Sequence, residues 1–233
     1  MAGTPVLGFQ LMGSNQSQKH VTFNNALLEL DILIQLTILD RDLSSPPGSP
    51  SPGDRYIVAS GASGLWSGQE GKIAAWINSI WKFFDPLEGW VATVLDENIL
   101  VRFDNSSWIE QPIASGQWNS FTRARVLTEE LSLIGSSVNS NIQIPDRSIV
   151  LAVSTRTVVS ITGATSYDCG INGELDKFGG SLGITASANN VGVIGPQAFY
   201  SDEDIILTAN GGDFTGGSVK ISIHILEFGV PDA

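Results

Sequence analysis

The sequence predicts a mainly β protein with one N-terminal helix over about residues 22–42, a small Trp-rich antiparallel β domain, and a C-terminal β-sandwich or jelly-roll-like domain. Three observations predict it. Short β-branched runs alternate with Gly- and Asn-rich turns through the C-terminal half. All six tryptophans fall between residues 66 and 118, in paired short segments that read as hairpins. Only one stretch carries apolar residues at strong helical spacing. The expected division is an N-terminal attachment segment and helix (1–43), a Pro/Ser linker (44–54), a Trp-rich β domain (55–120) and a β-sandwich tip (121–233).

The helix is written in "HVTFNNALLELDILIQLTILDRD", residues 20–42. Thr22 or Asn24 caps its start, and straight-chain helix formers follow. Leu27, Leu30, Ile34 and Ile38 share one face; Leu28, Ile32, Leu36 and Leu39 share a neighbouring one. A helix apolar over so much of its circumference needs cover on several sides. Two covers are open to it: the chain's own β domain, or copies of itself in a homo-oligomer, with a trimer favoured. The stretch "LSSPPGSPSPGD" then excludes helix and central strand through its prolines, and reads as a stiff linker.

In residues 55–111, "AAWINSIWKFF" reads as a hairpin turning at Asn78-Ser79, so that Ile77 faces Ile80 and Trp76 faces Trp81. "LVRFDNSSWIE" repeats the spacing, turning at Asn105-Ser106 with Phe103 opposite Trp108. Paired indoles serve either as core or as a stacking platform for sugar rings. Trp66 and Trp90, beside Gly64, Gly68 and Gly89, lie in turns and are candidates for exposure. In the C-terminal region, "RSIVLAVSTRTVVSITGA" is β-branched throughout. "SVKISIHILEF" places Val219, Ile221, Ile223 and Ile225 on one face and Lys220, Ser222 and His224 on the other.

Composition excludes several functions. Twelve basic against 24 acidic residues give a net charge of −12. Each half of the chain carries the same balance, so no basic stripe exists for phosphates or an anionic membrane surface. Cys169 is the only cysteine, which excludes an internal disulfide and a cysteine-based zinc cluster. No signal peptide is evident, and no stretch approaches the roughly 18 apolar residues of a membrane span. Assembly in a cytoplasm is expected.

Catalytic signals are sparse. His20 and His224 are the two histidines, and neither accompanies a Gly-x-Ser-x-Gly elbow. "SDEDI" groups Asp202 and Asp204, with Asp213 in a nearby Gly-rich loop, as weak calcium candidates without regular ligand spacing. No nucleotide-binding glycine motif is present, and no cofactor is expected. Twenty-four acids leave a carboxylate pair for glycoside cleavage open. For sugar binding, the C-terminal module offers aromatics beside carboxylates: Tyr167 with Asp168, and Tyr200 with Asp202. The same residues also suit anchors at a subunit interface.

Residues 4–36 resemble the opening of an uncharacterised domain family found in prophages and gene transfer agents of alphaproteobacteria. The matching positions are Thr4, Pro5, Leu7 and Gly8; Gln16, Gln18, Lys19, His20, Val21, Thr22, Asn24, Ala26 and Leu27; then Leu30 with Asp31. "SPGDRYIV", "GLWSGQEGKIAAW", "FFDPLEGW" and "FDNSSW" extend the resemblance to residue 111. The C-terminal part is similar to the β-rich tips of phage fibres and spikes. The resemblance implies a structural, non-enzymatic virion protein of tail or head. Its N-terminal part would attach to other virion proteins of tail or capsid, and its C-terminal part would bind host surface polysaccharide. A capsule-degrading spike enzyme and a ligand-free joint are the alternatives.

Overall fold

The computed structural model describes residues 4–7, 9–11 and 19–231, with the backbone alone at Lys19 and His20. The chain divides into two compact units, Met1–Gln111 and Pro112–Ala233. Both are built mainly from strands.

Unit 1 begins with helix α1 (Lys19–Leu33). It continues through β1 (Thr37–Ile38), β2 (Arg55–Ile57), a single 3-10 turn (Gly64–Trp66), β3 (Ile73–Ile77), β4 (Ile80–Phe84), β5 (Val91–Val94), β6 (Ile99–Asp104) and β7 (Ser107–Glu110). Two sheets result, ordered β2-β3-β4 and β1-β5-β6-β7. The helix stops nine residues before the expected end at 42. Gln35 adopts a left-handed φ of 50°, and the chain then pairs in parallel with β5, Thr37 against Thr93 and Ile38 against Val94. The physical reason is a change of period. Leu36 and Ile38, two apart, both point into the core between the sheets with Ile57, Ile73, Ala92, Val94 and Val101. Ile38 is therefore core, and does not lie on a helical association face.

The helix covers its own domain with one stripe only. Leu28 and Ile32 pack on Ala75 and Ile77 of β3. The stripe Phe23, Leu27, Leu30 points elsewhere, with Phe23 and Leu30 exposed and Leu27 half-buried. Ile34, half-buried, continues that row just past the helix end.

Both hairpins form as their spacing predicts. Trp76 pairs with Trp81 and Ile77 with Ile80; Phe103 pairs with Trp108 and Asp104 with Ser107. All four turn residues, Asn78, Ser79, Asn105 and Ser106, have positive φ, which gives the turn the twist of its strands. β3 is apolar almost throughout because both its faces are covered. Ile73, Ala75 and Ile77 face one way, while Ala74 joins Tyr56, Val58 and Trp66 on the other. The Pro/Ser stretch 43–54 belongs to unit 1 and does not join two bodies. Its backbone is bonded into this sheet edge, Gly53 N–H to the Trp76 carbonyl at 2.9 Å among others.

Unit 2 is a sandwich of β8 (Ala114–Ser115), β9 (Phe121–Ser132), β10 (Ser137–Ile144), β11 (Ile149–Thr162), β12 (Ser166–Ile171), β13 (Glu174–Leu182), β14 (Asn189–Ala198), β15 (Glu203–Asn210) and β16 (Gly216–Gly229). One sheet runs β10-β15-β12-β13 and the other β14-β11-β16-β9-β8. Val219, Ile221, Ile223 and Ile225 of β16 are all buried between them, with Val150, Val153, Ile205, Leu207 and Phe214. β8 pairs with β9, so the unit starts at residue 112 and not 121. At one edge β14 comes so close to β13 that a Cβ on Gly192 would lie 1.9 Å from the Phe178 carbonyl oxygen. Asn190 Nδ2 donates to that same oxygen at 2.8 Å.

Candidate binding surface

Two turns of unit 2 meet at one end of the sandwich: Pro145–Ser148, between β10 and β11, and Phe199–Asp202, between β14 and β15. They are tied by three hydrogen bonds. Arg147 N–H donates to the Phe199 carbonyl at 2.8 Å and Phe199 N–H to the Ser148 carbonyl at 3.0 Å. Asp146 N–H donates to Asp202 Oδ1 at 2.8 Å. Phe199 is buried in the core, so it pins the turn from which Tyr200 projects. Tyr200 is 83% exposed. Arg147, held at a left-handed φ of 57°, extends its guanidinium into solvent with Nε 3.4 Å from Asp146 Oδ2.

Carboxylates and amides surround these groups. Ser201 Oγ donates to Glu203 Oε1 at 3.1 Å. Asp204 accepts from Gln143 Nε2 at 2.7 Å and Asn139 Nδ2 at 3.0 Å. Those two amide bonds hold its carboxyl below the usual carboxylate range. An exposed phenol ring offers a stacking face, and the neighbouring planar polar groups offer donors and acceptors for hydroxyls. The turns that carry them are fixed from beneath.

The remaining sequence candidates lie elsewhere. Tyr167 is 1% exposed; its hydroxyl donates to Thr155 Oγ1 at 3.1 Å inside the sandwich. Burial pushes its phenol pKa up, opposed by its hydrogen-bonding interactions with Thr155 and Thr157. Asp168 is a brace, accepting from Ser181 N–H at 2.6 Å and Asn210 Nδ2 at 2.7 Å. Both lie on β12 and not in the loop expected of them. Trp66 is fully buried, in an aromatic cluster with Tyr56 at 5.5 Å and Trp81 at 5.1 Å between ring centroids. Trp90 is half-buried against the core of unit 1. Their turn glycines supply left-handed backbone, φ 60° at Gly64, 74° at Gly68 and 84° at Gly89, and the indoles beside them turn inward. The exposed tryptophan is Trp118.

Among the described residues no cluster of three or more His, Cys, Asp or Glu side chains is placed to hold a metal ion, and Asp202 and Asp204 are engaged by protein donors. Cys169 is buried, its thiol pushed up to about 12 by desolvation, so it is not poised as a nucleophile. Gly8, Gln16 and Gln18 lie outside the described residues, as does the side chain of His20. Arg147 and Asp146 were not singled out from sequence; the Pro-Asp-Arg turn before a β-branched run was the available signal.

A second constellation gathers the motif residues of unit 1. Asp31, fully buried, accepts from Val6 N–H at 2.8 Å and Leu7 N–H at 2.5 Å. Thr4 N–H donates to the Phe9 carbonyl at 2.9 Å, and Phe9 N–H to Thr4 Oγ1 at 2.9 Å. Arg55 donates to the Ile32 carbonyl at 2.9 Å and to Thr37 Oγ1. Gly53, at φ 93°, lets Val6 and Pro5 close in, since a Cβ there would sit 3.1–3.2 Å from them. These residues buckle an N-terminal strap onto the helix.

Comparison recognises part of unit 1. Residues 23–109 match the family described as a protein of unknown function, DUF2793. The DUF2793 match thus runs from the exposed stripe of α1 through the second Asn-Ser hairpin. No curated protein matches the chain. Among solved structures, a chain of the cyanophage Pam1 capsid asymmetric unit is similar at 17% identity and a TM-score of 0.36, over 50% of this chain and 91% of that one. Among the described residues no helix is long and apolar enough to cross a membrane.

Proposed function

We propose that the chain is a structural fibre or spike protein of a virion. In this reading it attaches to other tail or capsid proteins through its N-terminal unit, and binds host surface polysaccharide through the Tyr200 end of the sandwich. The observation that carries the binding half is Tyr200: a large ring 83% exposed, on a turn pinned by buried Phe199 and flanked by Arg147 and Asp202. An exposed aromatic on a fixed turn loses little conformational freedom when a sugar ring stacks on it. The attachment half is supported by the resemblance of residues 4–111 to prophage and gene-transfer-agent proteins, and by the exposed stripe Phe23, Leu27, Leu30. The role is non-enzymatic. Ser154 Oγ lies 3.2 Å from His224 Nε2, yet the histidine's partners across the sheet are Ala152 and Val126, so no carboxylate orients the ring from its own rung.

The test is binding of the full chain to polysaccharide from candidate host cells, with Tyr200→Ala and Asp202→Asn combined. Asn at 202 keeps an acceptor for the Asp146 N–H. Binding should fall at least tenfold, about 1.4 kcal/mol, with the melting temperature unchanged. Normal binding by the double variant removes this end of the sandwich from recognition.

A further inference from the structure

Charge at the Tyr200 end of the sandwich is one-sided. The two turns and the first residues of β15 carry Asp146, Asp202, Glu203 and Asp204 against a single cation, Arg147. Arg147 is already beside one of these acids, its Nε 3.4 Å from Asp146 Oδ2. The others are fixed by neutral donors. Asp202 accepts from the Asp146 N–H at 2.8 Å and Glu203 from Ser201 Oγ at 3.1 Å. Asp204 accepts from the amides of Gln143 at 2.7 Å and Asn139 at 3.0 Å. Neutral donors leave a carboxylate its charge, so three negative charges stay uncompensated around the exposed ring.

A sugar that stacks on Tyr200 meets this field. Ionised carboxylates only accept hydrogen bonds. Sugar hydroxyls and ammonium groups donate to them; the carboxylate of a uronic acid, or a sulfate or phosphate group, does not. Each uncompensated charge several ångströms away in water weakens the binding of a further anion about two- to threefold, so three together weaken it about tenfold. The flat ring and the hydroxyl partners attract, and the charges repel one class of competitor. Selectivity is built from both kinds of element.

We infer that the Tyr200 end selects saccharides without negative charge, built of neutral or amine-bearing units, and rejects acidic polysaccharide. The inference rests on the binding role proposed for this end and names the class of sugar that it takes. The ring supplies the contact, and the acids around it decide which sugars reach it.

The test separates polysaccharide from candidate host cells by charge and measures binding of the full chain to each fraction. Salt is set at about 10 mM and then about 1 M, where charges are screened beyond about 30 Å and about 3 Å. At low salt the neutral or amine-bearing fraction should be the one bound. Oxidising part of its primary hydroxyls to carboxylates should weaken binding about tenfold, and high salt should restore most of the loss. The whole chain is acidic, with a net charge of −12, so a variant locates the effect. Asp146→Asn with Glu203→Gln keeps each side-chain acceptor and should recover about threefold of the low-salt loss. Asp146→Asn alone serves if the pair lowers the melting temperature. Preference for the acidic fraction, oxidation without loss, or a loss that either salt or the variant leaves unchanged overturns the inference. The Tyr200→Ala, Asp202→Asn protein separates the two readings. If it loses binding while the parent prefers the acidic fraction, the site stands and its charge selection falls. If it binds as the parent does, or if no fraction binds the parent, the polysaccharide reading falls and this inference with it.

Discussion

At the scale of single residues, Asp31 has the most concentrated role. It is a buried carboxylate facing two backbone N–H groups, with the Arg55 guanidinium near enough to feel its charge. Desolvation lowers the pKa of Arg55, and Asp31 opposes that shift. Truncation to alanine strands two donors and takes away this opposing charge. The expected cost of Asp31→Ala is about 2–4 kcal/mol, read as a lower denaturation midpoint for unit 1. A midpoint within error of the parent means that water satisfies the strap. Nothing in the sequence separates this aspartate from a solvated helix residue except its Leu-Asp motif context. Tyr167 shows the opposite difficulty. Tyr beside Asp reads as a loop pair, whereas Tyr167, Cys169 and Ile171 alternate into the core along β12. The period of two was present and outweighed by the chemistry of the neighbour.

At the scale of elements, the two hairpins were legible to the residue, because an aromatic pair flanking Asn-Ser fixes both turn and register. The helix was legible at its start and not at its end. Apolar residues at 34, 36, 38 and 39 suit a helical face and a strand equally, and the choice is made by β5, 56 residues along the chain. The exposed stripe on α1 carries an expectation of its own. Phe23→Glu with Leu30→Glu leaves Leu28 and Ile32 on β3, so folding persists. The solution mass by light scattering should fall, because a helix row of Phe23, Leu27 and Leu30 associates by excluding water. An unchanged mass excludes this stripe from assembly.

For the whole molecule, fold class followed from patterning, while the end of the sandwich proposed for binding did not. β-branched runs and turns specify a sandwich, but two turns separated by fifty residues meet only after β10, β11, β14 and β15 are in place. Arg147 and Tyr200 are neighbours by topology alone. The boundary between the units was missed for a similar reason: the short β8 joins unit 2 through pairing with β9, and its sequence has no strand pattern.

The position of β16 has a consequence for synthesis. It is the middle strand of its sheet, with β11 on one side and β9 on the other, yet of that sheet's strands it is the last to be synthesised. Until residues 216–229 emerge, β9 and β11 are two unpaired edges waiting for the same partner, and such edges recruit other chains. Pairings as distant as Phe121 with Gly229 also make this sheet slow to close, in the millisecond-to-second range of nonlocal β folds. Nascent chains arrested before residue 216 should show a protease-resistant unit 1 and a digestible unit 2; resistance in both would mean that the sheet closes without its centre. Products that stop short of β16 would then carry a folded unit 1 beside an open unit 2.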